Sequence, residues 1–149
     1  GLARSEMASG FKKGLIWSAG FGIIVFFIFI ILFAANTNPL IFIKAGLPEK
    51  HSDIILFFFV AGIIGPIAEE LFFRGIIYGF FRRWGMPFAL VLNVLVFVLA
   101  HPGIPGIPLT QVTGGIVFAV AYEVEENLIA PITIHVLGNV AIFTISLIS

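Results

Sequence analysis

The sequence holds no cysteine, which removes disulfides, thiolate nucleophiles and cysteine-ligated metals together. Charge is nearly as scarce. Only 11% of the 149 residues are charged, the formal net charge is zero, and histidine occurs three times. A neutral balance gives no electrostatic footprint for nucleic acid. With 60% hydrophobic residues and a mean hydropathy of +1.15, the chain lies outside the range of water-soluble domains. What it has in quantity is uninterrupted apolar sequence. The expected surroundings are a lipid bilayer, and the expected fold is an all-α, polytopic membrane helix bundle.

The uncharged run from Gly14 to Ala35 supplies 22 residues, against the roughly 20 needed to cross a bilayer. It exceeds the hydrophobic stretch of a secretory signal and is expected as a retained N-terminal span (14–35). Residues 36–53 mix Asn36, Asn38, Pro39, Gly46 and Pro48 with Lys44, Glu49, Lys50 and Asp53, which predicts a polar connection with His51 as a wetted loop residue. A second span is expected from about Ile54 to Phe81, stopped by Arg82 and Arg83. Beyond it, Pro102, Gly103, Pro105, Gly106 and Pro108 divide the uncharged stretch Trp84 to Tyr122 into two short or tilted spans, about 88–101 and 109–122. Glu123, Glu125 and Glu126 predict a polar turn, and a fifth span runs from about Leu128 to Ile148 with Pro131 in its first turn. No repeat or linker divides residues 1–149, which read as one integral-membrane domain.

Arg4, Lys12 and Lys13 precede the first span, and Arg82 and Arg83 follow the second. Two crossings bring both clusters to one face, which the positive-inside rule makes cytosolic. Trp17, Tyr78, Trp84 and Tyr122 fall near the same face, as interfacial aromatics do.

Against this background the segment AEELFFRG, residues 68–75, is anomalous, because Glu69, Glu70 and Arg74 lie within one apolar span. A charged side chain at mid-bilayer costs about 2.5–3.5 kcal/mol on insertion scales, so all three must face protein or water. Glu70 and Arg74 are four apart and can neutralise each other on one helix face, the arrangement of a packing pair. Glu69 points elsewhere with no partner near it in sequence, and an isolated intramembrane acid predicts function. Gly62 and Gly65 precede it on its own face, where other helices can approach closely.

Other polar groups inside spans are few. His101 ends the third, His135 and Asn139 share a face of the fifth, and Asn93 on the third reads as interhelical glue. At 1.5 Å per residue, Glu69 lies about 20 Å from Arg82 and His101 about 21 Å from Pro87, a matched depth. His135 and Asn139, about 6 and 12 Å beyond Pro131, fit least well. Alone, each has a plain alternative: a hydrogen-bonded helix cap for His101, helix glue for Asn139. Together a carboxylate, two imidazoles and a carboxamide form most of a hydrolytic site. On the fourth span, Gln111, Gly115 and Ala119 share a face, and Gly115 and Ala119 make a small-xxx-small contact.

EELFFR, FVLAH (Phe97 to His101) and HVLGN (His135 to Asn139) resemble, in order, the EExxxR, FxxxH and HxxxN motifs of the CPBP family of intramembrane proteins, which comprises type II CAAX prenyl proteases and bacteriocin-processing relatives. The resemblance covers about residues 54–149 as a catalytic core. Members often carry more helices than the five expected here. It implies an intramembrane glutamic endopeptidase, multi-pass in a prokaryotic cell membrane, acting on a membrane-bound or lipidated peptide. Glu69 would be the general base, His101 would share its water, and His135 and Asn139 would stabilise the oxyanion. Glu70 and Arg74 would support the site.

Water attack without a Ser or Cys nucleophile needs a carboxylate or a metal. A zinc site built from two His and one Glu is the rival within the protease class, although HExxH spacing is missing and Asn139 suits an oxyanion better than zinc. The expected mechanism therefore uses no metal cofactor. A non-catalytic membrane partner, such as an immunity or scaffold protein, and a proton-coupled transporter are the readings from other classes. The loop HPGIPGIP either holds His101 at a rigid boundary or simply connects two spans.

Overall fold

The computed structural model describes residues 4–101 and 109–148; the proline-rich loop after His101 lies outside the described residues, so its two readings stay with the sequence. Among the described residues the fold is all-helical. Its five main helices are α1 (Arg4–Ala34), α2 (His51–Arg82), α3 (Met86–Leu99), α4 (Leu109–Glu125) and α5 (Ile129–Ile148), and a 3₁₀ turn, Pro39–Phe42, lies between α1 and α2. Among the described residues three stretches are long and apolar enough to cross a membrane: Glu6–Ala34, His51–Arg82 and Ile129–Ile148. The third and fourth helices are the short ones, as expected.

Differences from the sequence reading have local causes. Helix α2 starts at His51, which is therefore an exposed helical residue and not part of a loop; Asp53 in its first turn suits the positive end of the helix dipole. Helix α4 runs on through Glu123 and Glu125 where a turn was expected. Both carboxylates are tied down. Arg82 reaches Glu123 at 2.7 Å and Lys13 reaches Glu125 at 2.7 Å, while Tyr78 and Trp17 donate to the same two groups at 2.8 Å. The hydrogen bonds from Lys13 and then Trp17 hold the Glu125 carboxyl below its ordinary range. These contacts put the start of α1, the end of α2 and the end of α4 on one polar face.

Packing follows the small residues. A Cβ added at Gly14 would meet the Thr133 side chain at 2.5 Å and the Ala130 carbonyl at 2.9 Å, so this glycine is what lets α1 lie on α5. A Cβ added at Gly115 would meet Phe97 and Val94 of α3 at 3.4–3.5 Å, and Ala119 is fully buried, which matches the small-xxx-small reading. Gly85, at φ +109°, makes the tight reversal from α2 into α3 that no larger residue adopts without strain. Asn127 begins α5 by accepting the Ile129 N–H at 2.8 Å, and Pro131 does sit in the first turn. Phe73, Phe97, Phe118, Ala121 and Ile134 form the central apolar cluster. Ile24, Phe27, Ile31 and Phe33 of α1 point outward, as lipid-facing residues do.

The largest departure is inside α2. Val60–Ile64 and Leu71–Tyr78 are π-helical and flank a short α-helical stretch, Gly65–Glu70, that carries both glutamates. A π-helix bonds each N–H five residues back, so it carries more residues per turn and re-aims the side chains beyond it.

Candidate active site

Glu69 sits at the end of the stretch between the two π segments. Its Oε2 lies 3.3 Å from Nε2 of His101 and 3.8 Å from Nε2 of His135. Three helices thus deliver one carboxylate and two imidazoles to a single point. That oxygen is buried and accepts no hydrogen bond from the described residues, although the Glu69 side chain as a whole keeps 32% exposure. The buried atom faces the imidazoles while other atoms of the side chain keep access to the outside.

Each imidazole is held by its other nitrogen. His101 lies just past the end of α3, and its Nδ1 is 2.7 Å from the Phe97 carbonyl. A carbonyl can only accept, so Nδ1 carries hydrogen and Nε2 is left toward Glu69. One ring thus bonds back to its own helix end and faces Glu69. For His135, Nδ1 is 2.8 Å from Oε1 of Glu70, which also accepts from Arg74 at 2.9 Å. A carboxylate already paired with arginine accepts, so His135 too gives Nδ1–H away and offers Nε2 to the site.

Glu70 and Arg74 are both 0% exposed, the buried pair the spacing predicts. Arg74 also donates to the Gly115 carbonyl at 3.0 Å and lies over the rings of Phe97 and Phe118, at 4.7 and 5.3 Å from their centroids. His135 stacks on Phe118 at 4.4 Å and His101 leans on Phe97 at 4.5 Å. The same two aromatic rings thus pack against the guanidinium and both imidazoles. Asn93 donates to the Phe73 carbonyl at 2.6 Å, the interhelical bond foreseen for it.

His135 reaches the level of Glu69 despite the mismatch in counted depth. Helix α5 begins deeper than the count assumed: Leu128 packs against Gly75, well along α2 from Arg82, and from there His135 and Glu69 lie at similar distances along their helices. Asn139 is placed differently from the other three. Its amide donates to the Ala61 carbonyl at 3.1 Å, in the first π segment of α2.

Phe118 and the Gly115 carbonyl had no place in the sequence reading of the site. Both lie on α4, which bears no motif; the small-residue face containing Gly115 was the available signal. Among the described residues no group of three or more His, Asp or Glu is disposed to hold a metal ion.

Residues 51–141 match the family described as type II CAAX prenyl endopeptidase Rce1-like. The chain is 34% identical over 111 residues to the membrane-embedded CAAX protease MroQ of Staphylococcus aureus (strain USA300), covering 70% of this chain and 42% of that protein. It is 31% identical over 85 residues to YdiL of Bacillus subtilis (strain 168), provisionally named a membrane peptidase, covering 56% of this chain and 34% of that protein. The chain therefore spans less than half the length of these curated relatives. No solved structure matches it significantly.

Proposed function

Because the chain belongs to the Rce1-like family of type II CAAX prenyl endopeptidases, we propose that it is an intramembrane endopeptidase acting on a membrane-associated or lipidated peptide with water activated at Glu69. The observation that carries this reading is the buried Glu69 Oε2, free of protein hydrogen bonds among the described residues and flanked by the Nε2 atoms of two imidazoles.

Glu69 takes one proton of the attacking water as the oxygen bonds to the scissile carbonyl carbon. General-base assistance of this kind contributes about 10²–10⁴-fold. That proton passes to the leaving nitrogen through His101 as the C–N bond breaks. His135 stabilises the negative oxygen of the tetrahedral intermediate from Nε2. To donate there as well as to Glu70, both ring nitrogens must carry hydrogen. Glu70, fixed by Arg74, sets which face of His135 meets the substrate. The mechanism uses no metal; elemental analysis of the purified chain and activity in strong chelator check that.

The polar face holding Lys13, Arg82, Glu123 and Glu125 is assigned to the cytosol, with the helices forming a multi-pass bundle in a prokaryotic cell membrane. The test is direct. Detergent-purified chain is incubated with membrane-tethered peptides and the products are read by mass spectrometry, with Glu69→Gln as the blank. New termini formed by the wild type and missing from the blank support the enzyme. Their absence from both favours a non-catalytic membrane partner or a transporter.

A further inference from the structure

Pro66 stands inside α2, three residues before Glu69, and has no N–H to give the preceding turn. The local register identifies the carbonyl that loses its partner. Gly65 N–H donates to the Val60 carbonyl, five residues back. Carried one residue further, the same spacing pairs position 66 with Ala61, and proline leaves that carbonyl without a donor. Membrane helices tolerate proline where a neighbouring helix supplies the missing bond. Here the supplier is Asn139, whose Nδ2 donates to the Ala61 carbonyl at 3.1 Å.

Gly62, the next residue, faces α5, and a Cβ there would make ordinary contact with Val140 and Phe143 at 3.5–3.7 Å. That proximity brings the short Asn139 side chain to backbone. One turn earlier on α5, His135 holds Glu70. Helix α5 therefore grips α2 on both sides of Glu69, at the Ala61 carbonyl before it and at the Glu70 carboxylate after it.

We infer that Asn139 is a positioning residue which replaces the backbone hydrogen bond lost at Pro66 and sets the orientation of the helix carrying Glu69. This rests on Glu69 being the base. A carbonyl left without a partner inside a membrane protein is costly, so the two helices stay in register while the bond lasts. Loss of the bond lets the Gly65–Glu70 stretch rotate or shift, and Glu69 leaves the two imidazoles.

The discriminating experiment is a double-mutant cycle of Asn139→Ala and Pro66→Ala in the full chain. Alanine at 66 restores an N–H, so the Ala61 carbonyl no longer depends on Asn139. N139A is expected to lower kcat by about tenfold or more in the wild-type background, on the scale set by small misplacements of catalytic groups. In the P66A background the same change should cost less than about threefold, because its partner is already satisfied. An equal fold-loss in both backgrounds, the behaviour of a direct oxyanion donor, overturns the inference. Thermal unfolding of the same four proteins in detergent decides the point without any turnover: the depression of Tm by N139A should shrink in P66A, and an unchanged depression contradicts the clasp. If the wild type cleaves nothing, the catalytic reading fails on its own while the unfolding cycle still tests the clasp.

Discussion

Nδ1 of His135 lies 2.8 Å from Oε1 of Glu70, a contact between residues 65 apart in sequence. It joins the fifth helix to the second at the residue adjacent to Glu69, and it commits one ring nitrogen so that the other is available. The neighbouring acids of the EE pair thus do different work. Glu70 is the inner one, shared between Arg74 and His135; Glu69 is the outer one, facing both imidazoles.

Glu70 and Arg74 are expected to matter for folding more than any exposed ion pair. Arg74→Ala strands a fully buried carboxylate, and removing one member of such a pair typically costs about 3–5 kcal/mol. Thermal unfolding in detergent should show a large drop in Tm, together with loss of the Gly115 contact that ties α2 to α4. A midpoint close to wild type would mean that the pair does not hold the bundle.

The two histidines should separate in their effects. His101→Ala removes a ring that packs against Phe97 and Glu69 at a helix end, so activity should fall by about 10²-fold or more while Tm changes little. His135→Ala should lower both, because Glu70 loses a buried partner and Phe118 loses its stacked ring. Paired turnover and unfolding measurements on the two variants give the comparison; an unstable His101→Ala with a stable His135→Ala would reverse the assignment.

Much of this arrangement was legible in the chain. Glu69, Glu70 and Arg74 stood out because charge is expensive in lipid, and the four-residue spacing of Glu70 and Arg74 predicted the pair that forms. His101 and Asn93 were placed by helix length alone. The connection between Glu70 and His135 was not legible, since nothing local marks a contact across 65 positions. Depth counting failed for His135 because it started α5 level with Arg82, whereas Leu128 packs against Gly75, deeper along α2. Pro66 went unread: its effect falls on the carbonyl of Ala61, and its compensation comes from another helix.

The glycines of α1 are predicted to be unequal. Gly14→Ala forces a Cβ against Thr133 and the Ala130 carbonyl and should destabilise by about 1–3 kcal/mol. Gly22→Ala meets nothing within 4 Å and should be neutral or slightly stabilising, since alanine is the better helix former. Unfolding midpoints of the two single variants check this. Equal effects would show that α1 is not seated through Gly14.

Acid should loosen the polar face. The Glu125 carboxyl is lowered below its ordinary value of 4.5 by its bonds from Lys13 and Trp17, and that of Glu123 by its bond from Arg82. A depressed folded-state pKa means stability that is present above the unfolded value and is lost as pH falls through the folded one. Tm should therefore decline as pH drops below about 4.5, and the decline should be shallower in Glu125→Gln, which has no charge to lose. Identical slopes in the two proteins would remove Glu125 from the account.

The central claim, that Glu69 activates the attacking water between two imidazoles, is tested most directly by the turnover of Glu69→Gln against wild type on one tethered peptide, with Tm of both recorded. The prediction is a loss of at least about 10²-fold in a protein that unfolds within a few degrees of the parent. Near-normal turnover by the glutamine variant would contradict it, because glutamine fills the same space and cannot take a proton from water.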